Sequence, residues 1–122
     1  WSHGWENVWF GTSISDMESS NLLSQLTNSL KFQNLFLSIE PQVETLDHLN
    51  LSDIDWVIQG CESGTKKRPF NIDWAKAMLM NCRYYDVPYF LKQINGMDGS
   101  VLKDIETFPK ELQIRQYPKL LK

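Results

Sequence analysis

The sequence predicts an α/β domain built on a parallel sheet. Two observations carry that reading. Short runs of aromatic and β-branched residues, "NVWFGTSI" (7–14), "NLFLSIEP" (34–41), "DWVIQG" (55–60) and "VPYFLKQI" (87–94), recur along the chain. Between them lie stretches of helical spacing, and strands joined by crossover helices must run parallel with right-handed connections. The strands are nearly continuous in apolar residues, which in a parallel sheet means that both faces are covered.

Each element has its own signals. After the first strand, Ser15 and Glu18 stand at capping-box spacing, and Leu22, Leu23, Leu26 and Leu30 form one apolar stripe, so a helix is expected over 15–32. The second strand halts at Pro41. The stretch 42–53 reads either as a short helix or as a loop carrying Leu46, Leu49 and Leu51 inward. A second helix is expected over 74–86, capped by Asp73, with Trp74, Ala77, Met78 and Tyr85 on one face. Pro88 fits only near the start of the fourth strand, where its missing N–H does little harm. Residues 95–122 read as an irregular tail in which "ELQIRQY" could be strand or helix.

The 122 residues suit one small domain, and a hydrophobic content of 42% supports a packed core. A formal charge of −3 argues against a mainly electrostatic nucleic-acid binder, although a basic patch could sit on an acidic body, so the charge leaves a nucleic-acid partner undecided. No apolar run approaches the ~20 residues that span a bilayer, and no signal peptide is visible. The two cysteines, Cys61 and Cys82, are too few for a disulfide framework or a metal cluster. They read as free thiols in a reducing cytoplasm, and no metal site is expected. The chain starts at Trp1, which suggests a piece of a larger protein.

In parallel α/β architectures ligands bind beyond the carboxyl ends of the strands. All four strands deliver polar residues there: Thr12 and Ser13, Ser38 and Glu40, Gln59 with Glu62 and Ser63, Lys92 and Gln93. Glu40 could serve as a general base, a metal ligand or an acceptor for a ligand ammonium, or simply cap a neighbouring loop. Lys92 could be a desolvated amine of the Schiff-base type, but an ion pair with Glu40 or Glu62 is favoured. These two are the catalytic candidates. The loop "GCESGTKKRP" invites anion binding through its glycines, Lys66, Lys67 and Arg68, yet matches no established phosphate-loop pattern. Ser13, Ser38, Gln59, Glu62, Ser63, Arg68 and Gln93 are the binding candidates. His3 and His48 have no partner at metal-ligand spacing. The tryptophans read mainly as core, with an aromatic platform for a ligand as the minor reading.

Together, "NVWFGTSI", "FLSIEP", "IDWVIQGCESG…RPF", "VPYFLKQI" and the late "DG…FP" resemble the C-terminal half of the gp thirty-seven/gp sixty-eight phage proteins, a family related to radical-SAM barrels. The resemblance runs in order over roughly residues 5 to 109. It implies a partial, half TIM-type (βα) barrel of the radical-SAM-like kind. It also implies an N-terminal three-cysteine motif holding a [4Fe–4S] cluster beside S-adenosylmethionine. No such triplet occurs in this sequence, so the chain is expected to be a fragment of an enzyme, inactive alone. A non-enzymatic half-barrel that binds a partner or a small anion is the alternative. Half a barrel would leave two edge strands and one side of its core open. The chain is therefore expected to self-associate around a two-fold axis or to join a missing N-terminal half.

Overall fold

The computed structural model describes residues 9–16, 23, 25, 34–42, 44–46, 49–62, 70–96 and 98–118. Four strands fall where the apolar runs place them: β1 (Trp9–Ser13), β2 (Asn34–Ile39), β3 (Trp56–Gly60) and β4 (Tyr89–Asn95). They pair in sequence order, each parallel to the one before it. A fifth strand, β5 (Val101–Leu102), runs antiparallel to β4, so the sheet is mixed rather than wholly parallel. The reason is the turn between them. Gly96 donates to the Ser100 carbonyl at 2.7 Å and Gly99 takes a φ of 83°. A tight turn of this kind can only return the chain antiparallel.

The helix α1 (Ile72–Tyr85) connects β3 to β4. Its cap is Asn71 and not Asp73, because the Asn71 side chain accepts from the Asp73 N–H at 2.9 Å. Asp73 sits instead in the first turn, where its charge favours the helix dipole. The helix ends at Asp86, in the left-handed conformation, whose N–H returns to the Arg83 and Cys82 carbonyls. Its buried face is Ala75, Met78, Leu79 and Cys82, so of the expected stripe Met78 is buried as placed and the rest of the face is turned. Ala77 is exposed, while Trp74 and Tyr85 are half-buried at the margins. The helix expected over 15–32 lies almost wholly outside the described residues; within it Leu23 is helical and buried. Where described, 42–53 contains no helix, and Leu46, Leu49 and Leu51 are buried from a loop.

The core lies between α1 and one face of the sheet. Leu35, Leu37 and Ile39 of β2, Val57 of β3, and Tyr89 and Leu91 of β4 are buried there. Each such side chain contributes on the order of 1.5–3 kcal/mol on leaving water. The alternate residues of the same strands point to the opposite face, and there Phe36, Ser38, Trp56, Ile58 and Phe90 are only half-buried. The expectation that both faces are covered therefore fails on this side. Trp56 and Phe90 make the strands look apolar throughout, but no described helix lies over them.

The tail is less irregular than its turn-rich sequence suggests. Two short 3-10 turns, Ile105–Thr107 and Lys110–Leu112, anchor it through buried Phe108 and Leu112. It then runs antiparallel beside β4: Leu91 donates to the Ile114 carbonyl at 3.1 Å, and Gln116 donates to the Tyr89 carbonyl at 2.9 Å. Together with β5, this segment covers the outer edge of β4. Of the two edges expected to be open, one is closed by the chain's own tail, and β1 stands at the other.

Candidate functional site

The half-covered face is organised in rows by the strand register. Gly11, Phe36 and Trp56 lie side by side, and above them Ser13, Ser38, Ile58 and Phe90 form the next row. Gly11 leaves room for the Phe36 ring, which would have to move aside for a Cβ there. At the carboxyl end of the strands, Lys92 Nζ donates to Glu40 Oε1 at 2.7 Å. This is the ion pair favoured for Lys92, and it spans from β4 across β3 to the end of β2. Its side chains are 51% and 23% exposed, so it is a solvent-facing pair and not a desolvated amine.

A groove of about 570 Å³ runs along this face. Glu40 and Lys92 border one end, with Gln93 beside them, and Trp56, Ile58 and Phe90 form its floor. The tail supplies the remaining wall through Lys103, Arg115 and Tyr117. Arg115 is held firmly. Its guanidinium donates to the carbonyls of Leu91 at 3.0 Å and Lys92 at 2.9 Å, and also to the carbonyl of Lys103. It lies over the Phe90 ring at 5.3 Å and the Phe108 ring at 5.4 Å, within range of cation–π attraction. The aromatic floor is continuous: Trp56 stands 6.1 Å from Phe90, 6.1 Å from Tyr117 and 6.4 Å from Trp9. The Trp56 indole N–H donates to the Gln116 carbonyl at 2.9 Å, which fixes the ring.

The expected site residues divide between the two faces. Ser13, Ser38, Glu40 and Lys92 share the open one, and Gln93 borders the groove while its amide donates to the Cys61 carbonyl at 2.8 Å. Gln59 is elsewhere. It is 0% exposed on the helix-covered face, where its amide donates to Gln42 and to the Trp74 carbonyl, and its oxygen accepts from the Tyr89 hydroxyl at 2.5 Å. A glutamine beside a strand end reads as a rim residue, but one-residue alternation turns it inward. Glu62 is half-buried beyond β3. Ser63 and Arg68 lie outside the described residues, as do Lys66, Lys67, His3 and His48. Trp56, Phe90, Lys103, Arg115 and Tyr117 are groove residues that the strand-end rule does not reach. The i, i+2 spacing of Arg115 and Tyr117 in an extended segment is the signal that could find two of them.

Buried thiols do not add to this face. Cys61 and Cys82 are both buried and neither is in a disulfide, and burial pushes the Cys82 thiol up to about 12. Tyr89 is likewise raised well above its usual value, by burial and then by the nearby Cys82. Among the described residues no group of three or more His, Cys, Asp or Glu side chains could hold a metal ion, and no helix is long and apolar enough to cross a membrane.

Fold and site together define a small α/β domain, parallel in its first four strands, with an aromatic and cationic groove on its less-covered face. A family model described as a protein of unknown function, DUF5131, matches residues 1–117, and the chain belongs to that family. No curated protein and no solved structure matches it.

Proposed function

We propose that the chain is the rim-bearing C-terminal half of a radical-SAM-like barrel protein of the gp thirty-seven/gp sixty-eight phage kind. The observation that carries the reading is the asymmetry of the sheet's edges. Strands β1 to β4 follow one another in parallel order, as successive units of a (βα) barrel do. The β4 edge is closed by β5 and the tail, whereas β1 stands at the edge where further strands would add. A half-barrel that can grow only from its β1 side fits the last units of a partial barrel. Glu40, Lys92, Ser38 and Ser13 would then line the substrate side of its mouth.

The residues present do not fit an iron–sulfur cluster. The family motif needs three cysteines, and this sequence has two, far apart and both buried. On this reading the chain positions substrate and does not itself initiate radical chemistry. The test is the coding sequence upstream of the Trp1 codon. An in-frame extension carrying three closely spaced cysteines, whose purified product binds iron, supports the proposal. A start codon close before Trp1 with no such cysteines overturns it. The groove then favours a second reading, a module that binds a ligand without radical chemistry.

A further inference from the structure

We propose that the groove binds a nucleotide, with the base against Tyr117 and Trp56 and the phosphate toward Lys103 and Arg115. The inference stands on the groove itself and does not depend on the barrel reading.

Charge is the first argument. The chain as a whole carries −3, yet the groove lining holds three cations, Lys92, Lys103 and Arg115, against the single carboxylate of Glu40. Glu40 is matched by Lys92. Among the described residues, the bonds Arg115 donates go to neutral carbonyls, which hold the guanidinium in place and leave its charge unmatched. Lys103 has no carboxylate partner among the described residues. An acidic protein that concentrates unmatched positive charge in one groove attracts an anion there.

The aromatic wall is the second argument. A simple inorganic anion has no use for it. Tyr117 is 70% exposed, a large ring left in water beside Trp56. The two rings are 6.1 Å apart and tilted by 36°, an open wedge rather than a closed core contact. Trp56 is fixed by its bond to the Gln116 carbonyl, so little ordering remains to be done when a flat ring arrives. Aromatic faces beside cations are the arrangement on which bases stack while their phosphates are neutralised. The volume of about 570 Å³ lies within the range of small-molecule sites.

The same chemistry could come from a free nucleotide or from one unit of a single strand, and a titration separates them. Tryptophan fluorescence of the chain is followed against AMP, adenosine, inorganic phosphate and an octamer of deoxythymidine. Saturable binding of AMP or the octamer is expected, with adenosine and phosphate each weaker on the order of tenfold or more. Tighter binding of the octamer assigns the strand; tighter binding of AMP assigns the free nucleotide. Lys103→Glu and Tyr117→Ala alter exposed side chains, and circular dichroism verifies that both variants fold. Each should weaken binding at least about tenfold. No saturable binding of AMP or octamer at millimolar concentration overturns the proposal. Binding unchanged in both variants overturns it too, as does phosphate alone binding as tightly as AMP. None of these results bears on the upstream cysteines, so the two proposals fail separately.

Discussion

The two faces of this sheet are made from alternate residues of the same strands, yet they are different materials. Toward α1, β2 presents Leu35, Leu37 and Ile39, all inaccessible to water. Toward the other side it presents Phe36, Ser38 and Glu40, all partly wet. Even the polar groups differ. On the helix side Gln59, Gln42 and Tyr89 satisfy one another in a closed network with no buried polar side-chain atom left unpaired among those described. On the open side the polar groups are an ion pair and cations that keep contact with solvent. The first face holds the fold together, and the second is free to bind. Period-two alternation separates the two tasks within a strand of six residues.

Breaking the covered face should have the largest effect. Leu37→Ala leaves a cavity in the central core and is expected to cost about 2–5 kcal/mol. Ser38→Ala, one residue along and on the other face, should stay within about 0.5 kcal/mol. Urea denaturation of both variants checks the contrast, and equal losses would refute it. Next comes the buried network. Gln59→Leu orphans the Gln42 carbonyl oxygen and the Tyr89 hydroxyl, at about 1–3 kcal/mol for each group left unsatisfied.

Alkaline pH should sharpen the same comparison. The Cys82 thiol holds its proton to about pH 12 in the folded chain and loses it near its ordinary value of 9.0 when unfolded. Its contribution is thus whole below pH 9, and stability falls as pH rises from there toward 12. Tyr89 acts in the same direction at higher pH, for the same reason of burial. Cys82→Ala should flatten the decline between these limits, read as the melting temperature across a pH series; an unchanged slope would remove the thiol from the account. A small effect is also expected from Lys92→Met. An exposed ion pair contributes about 0.2–1 kcal/mol to stability, so this variant should fold almost as well as the parent, and a loss beyond about 2 kcal/mol would mean the pair is structural.

Much of the covered face is legible in the sequence alone. The strands announce themselves by apolar runs, and their order follows from the helices between them. The helix α1 is legible as an element, and so is Met78 on its buried face, but its cap and the rest of that face are not. Asn71 and Asp73 are both good capping residues, and only the hydrogen bond chooses between them. Trp74 and Ala77 are apolar enough to be placed inward, while the sheet selects Ala75 and Leu79. The site is half legible. Glu40, Lys92, Ser13 and Ser38 follow from strand ends, whereas Gln59, expected among them, lies on the covered side of its strand. The groove wall is invisible to local patterns because Arg115 reaches the Leu91 carbonyl across 24 residues, a contact no short period encodes.

The tail has a further consequence for the birth of the molecule on the ribosome. Strands β1 to β4 emerge in the order in which they pair, so each finds its neighbour already in place. Arg115, however, follows the end of β4 at Asn95 by 20 residues. At synthesis rates of about 5–20 residues per second, the lower part of β4 waits roughly 1–4 seconds for its cover. During that interval its backbone donors and acceptors are available to any passing strand. The groove is thus the last part of the described residues to be assembled, and its completion ends the exposure of this edge of β4.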